Sequence, residues 1–147
     1  MENDVLSHEH LTLSRMIHNL DKIEFSLINN GLKQLNLSNI QSLIIIYLTN
    51  KTNSEVFQKD LEKEFGVTNP TMTVSIKSMI KKDLLFKEKS LKDGRYFSIH
   101  LTEKGASMYQ DCMKVYEKVD NANKGILTPE EEEEYRRLTN KLINGLD

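Results

Sequence analysis

Residues 90–105 read SLKDGRYFSIHLTEKG, a polar stretch with Lys-Asp-Gly-Arg at its centre. On both sides of that centre, apolar residues alternate with polar ones. A period of two is typical of a β-strand, and Asp-Gly between two such segments is a strong signal for a hairpin. The sequence therefore predicts two antiparallel strands, LLFKEKS (84–90) and RYFSIHL (95–101), joined by a turn at residues 92–94.

The segment before this hairpin predicts two short helices joined by a tight turn. EVFQKDLEKEFGV (55–67) gives an extended lead-in and a helix of about two turns, which Gly66 ends in a left-handed conformation. VTNPTMTVSIKSMIKKD (67–83) restarts the helix, with Asn69 as the predicted N-cap and Pro70 at the first helical position. Helices in this arrangement match the helix-turn-helix motif, and a hairpin directly after it is a wing.

Longer helices are predicted on both sides of this unit. The apolar run Leu43 to Leu48 indicates that the second helix is the buried centre of the fold. The fold class is thus mainly α with a small β-hairpin wing. The predicted helices run from about His8 to Asn30 with Gly31 as the stop, from a Ser38–Gln41 capping box to about Asn50, from the Thr102 cap to about Asn121, and onward from a Thr128–Glu131 capping box.

Length and composition favour one globular domain. The chain has 147 residues, 38% hydrophobic and 29% charged, and its longest apolar run is far too short to cross a membrane. The start, MENDVLSHEH, lacks the basic and apolar regions of a signal peptide, so we expect a cytoplasmic protein without a membrane partner. We find no Gly-rich phosphate loop, nucleophile elbow or paired carboxylates, and therefore predict no enzyme, no catalytic residue and no cofactor.

The charge is unevenly distributed. The whole chain carries a net charge of −2, but residues 69–95 carry seven basic and three acidic side chains, a net +4, which leaves −6 for the rest. A local basic segment on an otherwise acidic protein indicates one surface directed at a polyanion.

In this order and spacing the motifs resemble the MarR family of winged-helix transcriptional regulators, over nearly the whole chain. DGRYFSIHLTEKG is similar to that family's Asp-x-Arg, strand and Leu-Thr-x-x-Gly sequence, and QKDLEKEFGV and PTMTVSIKSMIKKDLL are similar to its two helix-turn-helix helices. The family commonly has Gly where this chain has Asp83, and arginines that this recognition helix lacks. Asp83 tolerates the left-handed conformation that such a turn requires.

The resemblance implies a homodimer in which the first and last helices of both chains interlock and paired winged helices read a pseudo-palindrome in double-stranded DNA. The chain would then be one domain, 1–147, with dimerisation helices at about 1–36 and 102–147 and the winged helix at about 37–101. We expect a repressor. The alternative is a winged-helix module that docks protein without binding specific DNA. The net negative charge and the arginine-poor recognition helix favour this alternative slightly, whereas the wing with Asp93 and Arg95 favours DNA binding.

The recognition helix has a predicted outer face. With Met72, Ile76, Met79 and Ile80 inward, a 100° step turns a polar set outward, toward the major groove. Hydroxyls bind base edges, and the Val74 methyls suit thymine, so an A·T-rich target is expected. The alternative is an ordinary solvated face. The predicted contacts are Thr71, Val74, Ser75, Lys77, Ser78 and Lys81 on this face, and Thr68 and Asn69 for phosphate.

The wing tip is predicted to place Arg95 in the minor groove, where narrow A·T-rich stretches have enhanced negative potential. Asp93 would repel phosphate, so its useful role is to accept hydrogen bonds from the Arg95 guanidinium and fix its direction. Lys92 is expected to contact backbone phosphate. The alternative is a turn that merely prefers these residue types.

The remaining candidates leave alternatives open. A small-molecule effector site is predicted near His18, Tyr47 and Tyr109, although ordinary helix packing explains the same residues equally well. His8, Glu9, His10 and His18 could suggest a metal site on the first helix, but they form one short cluster without a second ligand set, and we predict no metal site there. Cys112 lies on an apolar stripe, which favours a buried structural thiol over a redox sensor. The terminal helices carry more apolar surface than one small domain covers: Leu13, Ile17, Leu20, Tyr109, Met113, Tyr116, Leu138 and Leu142.

Overall fold

The computed structural model describes residues 12–51 and 53–147, and within these ranges it contains seven helices and a two-stranded sheet. This mainly helical fold with one hairpin confirms the predicted fold class. The elements in chain order are α1 (Leu13–Lys33), α2 (Asn39–Asn50), α3 (Gln58–Phe65), α4 (Asn69–Lys81), β1 (Leu85–Lys89), β2 (Phe97–Leu101), α5 (Glu103–Ser107), α6 (Tyr109–Ile126) and α7 (Pro129–Leu146).

The core forms around α2, as its apolar run predicted. Ile44 and Ile45 of α2 are fully buried and belong to one apolar cluster with Leu61 of α3, Ile76 of α4 and Ile99 of β2. Full burial of such a side chain stabilises the fold by about 1.5–3 kcal/mol. The helix-turn-helix and the hairpin are thus held as one unit against α2.

α1 begins at Leu13. The Thr12 hydroxyl caps it by accepting a hydrogen bond from the Arg15 N–H at 3.1 Å, which satisfies one of the free donors of the first turn. The predicted start at His8 lies outside the described residues.

The predicted end of α1 at Gly31 is wrong, because the helix continues through it to Lys33. Gly31 serves close packing instead: a Cβ at this position would lie 2.7 Å from Cγ1 of Val115 on α6. A turn follows the helix and ends at Asn36, which adopts a left-handed conformation with φ 56°. α1 and α6 therefore approach more closely than a larger residue would allow.

The N-terminus of α2 carries the predicted capping box. The Gln41 N–H donates to Ser38 Oγ and the Ser38 N–H donates to Gln41 Oε1, both at 3.2 Å. One turn on, Ser42 Oγ donates to the Asn39 carbonyl at 2.7 Å and lies 2.7 Å from the Tyr116 hydroxyl. Asn39 Nδ2 donates to the same hydroxyl at 3.1 Å, so the polar tip of Tyr116 fastens α6 to α2.

The turn between α3 and α4 forms where it was predicted, but its last residue differs. Gly66 ends α3 with φ 61°, as expected. The prediction that Asn69 is the N-cap of α4 is wrong, because Thr68 takes this position and its Oγ1 accepts from the Thr71 N–H at 3.4 Å. Asn69 is the first helical residue and Pro70 the second, where a missing N–H still costs no intrahelical bond.

The buried face of α4 is narrower than predicted. Met72, Ile76 and Met79 are buried, but Ile80, predicted to face inward, is 38% exposed. A further 100° step beyond Met79 carries Ile80 past the contact with the core. The helix is followed by Asp83 at φ 61°, the left-handed conformation that was expected at this turn.

The hairpin pairs β1 and β2 in antiparallel register, from Leu85 opposite Leu101 to Lys89 opposite Phe97. Its strands are slightly shorter than predicted. The extended lead-in to α3 joins them: the Ile99 N–H donates to the Val56 carbonyl at 2.7 Å, and Phe57 forms an isolated bridge with Ser98. The base of the wing is thereby fixed to the segment that enters the helix-turn-helix.

The prediction of one helix from Thr102 to about Asn121 is wrong in two respects. Thr102 caps only the short α5, the chain tightens at Met108, and α6 then runs on to Ile126. Gly105 in α5 lies so close to Leu84 that a Cβ would overlap the Leu84 carbonyl oxygen. α5 therefore packs closely against the end of the hairpin. The chain changes direction at Met108 before α6 begins.

α7 begins at the predicted capping box: the Thr128 N–H donates to Glu131 Oε1 at 2.9 Å and the Glu131 N–H donates to Thr128 Oγ1 at 3.1 Å. All residues of α7 are described, and none is buried. Its large apolar side chains, including Leu138 and Leu142, are exposed. Among residues 12–51 and 53–147, no helix has the length and apolar character needed to cross a membrane.

Candidate nucleic-acid interface

The outer face of α4 presents the predicted side chains. Val74 is 69% exposed, and it lies between half-buried hydroxyls on the side of the helix opposite Met72 and Ile76. The exposed members of the set are Thr71, Val74, Lys77 and Lys81, and the half-buried ones are Ser75 and Ser78. The face combines methyl groups, hydroxyls and ammonium groups without a planar guanidinium.

The first turn of α4 has fewer free donors than predicted. Thr68 Oγ1 accepts from the Thr71 N–H and also donates to Thr71 Oγ1 at 3.0 Å. Asn69 Nδ2 donates to Glu62 Oε2 at 3.0 Å, which ties the helix to α3. Since Pro70 has no N–H, the donor of this turn that makes no hydrogen bond within the described residues is the Asn69 N–H.

A further bond joins α3 and α4: Gln58 Nε2 donates to Thr73 Oγ1 at 2.8 Å. Both side chains are half-buried, so the bond fixes how α4 sits on α3. The sequence pattern did not single out either residue, because their pairing depends on the angle between two helices.

The wing tip holds Arg95 against Asp93 in a two-pronged contact. Arg95 Nη2 donates to Asp93 Oδ2 at 2.8 Å and Nε donates to Oδ1 at 3.0 Å, while the Arg95 N–H donates to Oδ1 at 3.1 Å. The Arg95 side chain remains 82% exposed, with its guanidinium 5.8 Å from the centre of the Tyr96 ring. These bonds, first those from the Arg95 side chain, hold the pKa of Asp93 below its ordinary value. Asp93 thus fixes the direction of an exposed guanidinium.

Beneath the tip, Glu55 and Ser90 hold the first residues of the wing loop. Ser90 Oγ donates to Glu55 Oε2 at 2.6 Å, and the Leu91 N–H donates to Glu55 Oε1 at 2.7 Å. The same Ser90 oxygen accepts from the N–H groups of Lys92 at 3.1 Å and Asp93 at 3.2 Å. The Ser90 hydroxyl, then the Leu91 N–H, hold the pKa of Glu55 below its ordinary value.

The sequence did not predict the contact between Glu55 and Ser90, since the two residues lie 35 positions apart and no local pattern links them. Leu91 was also missed: its side chain is 94% exposed at the tip beside Lys92, which is exposed as predicted. A single leucine in an otherwise polar loop was the available sequence signal for Leu91.

The basic side chains of residues 69–95 do not all belong to one exposed surface. Lys82 Nζ donates to the Asn36 carbonyl at 2.7 Å and to Gln41 Oε1 at 3.2 Å, and Lys104 Nζ donates to the Lys82 carbonyl at 3.1 Å. Lys82 therefore connects the end of α4 to the junction of α1 and α2. The neighbouring Lys81 is exposed and remains on the outer face.

The predicted effector residues lie on different parts of the fold. His18 is exposed on α1, Tyr109 is half-buried on α6, and Tyr47 packs edge-on against Phe65 with ring centres 5.9 Å apart. Two open grooves of about 510 and 490 Å³, one between the wing and the end of α2 and one along α1, contain none of these three residues. A site at His18, Tyr47 and Tyr109 stays a prediction.

Cys112 is fully buried in the core cluster. Burial, and secondarily the charge of Asp111, raise the pKa of the Cys112 thiol to about 11. A buried, protonated thiol has the properties of a small apolar side chain, in agreement with the structural role favoured by the sequence. Within the described residues no group of His, Cys, Asp and Glu side chains is placed to hold a metal ion; His8, Glu9 and His10 lie outside them.

The order of a buried helix, a helix-turn-helix and a two-stranded wing defines a winged helix-turn-helix protein. Residues 26–112 match the family model of the transcriptional regulator SarA/Rot. The HTH-type transcriptional regulator MgrA of Staphylococcus aureus is 30% identical over 119 residues, 81% of this chain and 78% of that protein. The chain therefore belongs to the SarA/Rot family of transcriptional regulators, which also confirms that it is a regulator and not an enzyme.

Solved structures agree with this assignment. The transcription regulator MarR from Oenococcus oeni PSU-1 is 27% identical and matches 90% of this chain and 99% of its own with a TM-score of 0.71. MepR in the S. aureus MepR-DNA complex is 20% identical and matches 92% of this chain and 98% of its own, with a TM-score of 0.84, which shows the common fold. The predicted resemblance to MarR regulators is confirmed.

Proposed function

We propose that this regulator binds a pseudo-palindromic site in double-stranded DNA as a homodimer and represses transcription. The observation that carries the proposal is the oriented, exposed guanidinium of Arg95 at the wing tip, together with the exposed polar face of α4. Winged-helix proteins of known structure with this fold include one in complex with DNA, the MepR-DNA complex. Two adjacent surfaces of suitable chemistry support the same role here.

In this proposal the outer face of α4 enters the major groove. Hydroxyls of Thr71, Ser75 and Ser78 donate to or accept from base edges, and the exposed Val74 methyls contact thymine methyl groups. Lys77 and Lys81 contact phosphates, as do Thr68 and the free N–H of Asn69 at the helix start. This residue set favours A·T-rich sites, because it lacks the arginine that pairs with guanine.

The wing enters the minor groove beside it. Arg95 inserts its guanidinium, held by Asp93, and Lys92 binds a backbone phosphate. A guanidinium held in one direction loses less conformational freedom on binding than a mobile one. Asp93 therefore contributes to binding although its own charge opposes the approach of DNA.

Exposed apolar faces on the terminal helices support the dimer. On α1, Leu13, Ile17 and Leu20 are 69%, 56% and 43% exposed, and on α7 Leu138 and Leu142 are similarly open. Of the predicted apolar set, Tyr109, Met113 and Tyr116 instead pack half-buried within the chain. A second copy would cover the exposed set, with residues 1–36 and 102–147 forming the dimer and 37–101 the DNA-binding unit of one domain.

The proposal extends to regulation and location. A small-molecule effector would act by binding one spacing of the two winged helices more tightly than the other, and His18, Tyr47 and Tyr109 remain the proposed site. We also propose that the protein is cytoplasmic, because a regulator that binds an operator must share a compartment with the DNA.

Selection from a pool of random duplexes at near-physiological salt tests the proposal. Retention of related, A·T-rich sequences with two half-sites about one helical turn apart is the expected result. Binding should weaken steeply with added salt because phosphate contacts release counterions. If no duplex is retained above a heat-denatured control, the DNA-binding proposal fails and the winged-helix protein-docking module takes its place.

A further inference from the structure

The geometry points to Glu55 as a positioning residue for the wing: its carboxylate fixes the loop that aims Arg95 at DNA. The inference deepens the proposed function and rests on it, because Glu55 can affect DNA binding only if the wing contacts DNA. Glu55 lies outside both the recognition helix and the hairpin, and no contact with DNA is assigned to it.

The carboxylate is well placed to hold the loop. Glu55 comes directly before Val56, whose carbonyl accepts from the Ile99 N–H at 2.7 Å, and near Phe57, which bridges to Ser98. The backbone that carries Glu55 is thus attached along β2. One oxygen then accepts the Ser90 hydroxyl at 2.6 Å and the other the Leu91 N–H at 2.7 Å, so the loop is held at its first two residues.

The proton of the Ser90 hydroxyl connects Glu55 to the tip. Because this proton is donated to Glu55, both lone pairs of Ser90 Oγ are free to accept the N–H groups of Lys92 and Asp93. The Asp93 backbone is then fixed where its carboxylate receives Arg95 at 2.8 Å. A chain of hydrogen bonds therefore runs from Glu55 through Ser90 and Asp93 to the guanidinium.

This arrangement requires two acceptors at residue 55. In Glu55→Gln, one amide orientation directs Nε2 at Ser90 Oγ and competes with the backbone donors for its lone pairs. The other directs Nε2 at the Leu91 N–H, donor against donor. A near-isosteric change thus removes at least one bond of the chain whichever way the amide turns.

The first measurement is hydrogen exchange at single amides, which needs no DNA. Glu55→Gln should accelerate exchange of the Leu91, Lys92 and Asp93 amides by about tenfold, the order expected for loss of a charge-assisted hydrogen bond. The matched control is Glu88→Gln, which removes the same charge from an exposed residue of β1 whose described ionic contact is His100 at 3.6 Å. Unchanged exchange of all three amides in Glu55→Gln would overturn the inference.

The second measurement is binding to a duplex retained from the random pool, with a double-mutant cycle. Loss of a carboxylate near DNA should by charge alone strengthen binding, and Glu88→Gln should do so slightly. Glu55→Gln should instead weaken it about tenfold, and most of this penalty should vanish in an Arg95→Ala background, since Glu55 acts mainly through the Arg95 contact. A destabilised fold would weaken binding in both backgrounds.

The outcomes separate the two proposals. If the parent chain binds and Arg95→Ala weakens binding, but Glu55→Gln behaves as Glu88→Gln does, the positioning role is overturned and the proposed function stands. A Glu55→Gln penalty that persists in full alongside Arg95→Ala also overturns it. If the parent retains no duplex, the proposed function fails, and the amide exchange alone shows whether Glu55 holds the loop.

Discussion

Gly31 of α1 lies directly against Val115 of α6, where a Cβ would stand 2.7 Å from Cγ1 of the valine. The contact joins the helix that enters the winged unit to the helix that leaves it. Since Val is β-branched and stiff at χ1, it cannot easily turn away from an added methyl group. The distance between α1 and α6 is thus set by a residue without a side chain.

Gly31→Ala should destabilise the protein although alanine favours helix. The propensity gain is about 1 kcal/mol, whereas forcing a methyl group into a packed contact costs about 1–3 kcal/mol. We expect a net loss in the free energy of unfolding, measured by denaturant titration at one fixed protein concentration. Adding Val115→Ala should turn the effect of Gly31→Ala into a gain. Equal effects in both backgrounds would show that the two residues are not in contact.

Gly105 and Gly125 give a matched pair of alanine substitutions, because a Cβ is obstructed at the first position and unobstructed at the second. Gly105→Ala should cost about 3 kcal/mol or more, because the Leu84 carbonyl it meets also accepts the Thr102 N–H at 3.0 Å and cannot move freely. A methyl group added at Gly125 in α6 would have no atom within 4 Å, so Gly125→Ala should stabilise by about 0.5–1 kcal/mol. Thermal unfolding of both variants checks the opposite signs, and a stable Gly105→Ala protein would contradict the close seating of α5.

The sequence predicted most of this fold because its signals are local. The capping boxes at Ser38 and Thr128 and the Asp-Gly turn each involve residues at most three or four apart. The errors arose where neighbouring residues compete for one position, or where tertiary packing decides where a helix ends. Thr68 and Asn69 are both good N-caps, and the break at Met108 follows from seating α5 against Leu84.

The contacts of the candidate site likewise divide into local ones, which the sequence predicted, and long-range ones, which it did not. Asp93 was predicted to accept hydrogen bonds from Arg95 because a carboxylate beside DNA would otherwise only repel phosphate, and the two side chains do meet. Glu55 was not predicted, since its partner Ser90 is distant in sequence and becomes a neighbour only when the lead-in to α3 pairs with β2. Lys82 was counted with the basic surface, although it bonds to Asn36 and Gln41.

Cys112 should resist thiol reagents in the folded protein. With its pKa raised to about 11, the thiol is protonated at pH 8, and full burial blocks access. Alkylation by iodoacetamide, followed by mass, should be slow in buffer and fast in denaturant, with the single cysteine as its own control. Rapid alkylation of the folded protein at neutral pH would contradict the buried assignment.

The same shift predicts how stability depends on pH. The pKa of the Cys112 thiol is raised above its unfolded value of 9.0, so its contribution is complete below pH 9 and is lost as the pH rises toward about 11. Cys112→Ala should remove this part of the alkaline loss. Denaturant titrations of both proteins at pH 8 and pH 10.5 measure it, and identical losses would contradict the burial of the thiol.

Lys81 and Lys82 are adjacent in sequence but should differ in their effect on DNA binding. Lys81→Met should lower the slope of log affinity against log salt by about 0.9 for each phosphate contact removed. Lys82→Met should leave that slope unchanged and lower stability by about 1 kcal/mol, because its ammonium bonds to Asn36 and Gln41. Salt titrations on a selected duplex compare them, and an equal loss of slope would place Lys82 at the DNA.

The most direct test of the central claim is the affinity of Asp93→Ala and Arg95→Ala for a selected duplex and for an unrelated one, at one salt concentration. Arg95→Ala should keep the fold and lose about 1–3 kcal/mol of binding to the selected duplex. Asp93→Ala should also bind that duplex more weakly, while its binding to the unrelated duplex holds or improves because a negative charge is gone. Tighter binding of Asp93→Ala to the selected duplex would contradict the orienting role of Asp93, and an Arg95→Ala protein indistinguishable from the parent would remove the wing from DNA recognition.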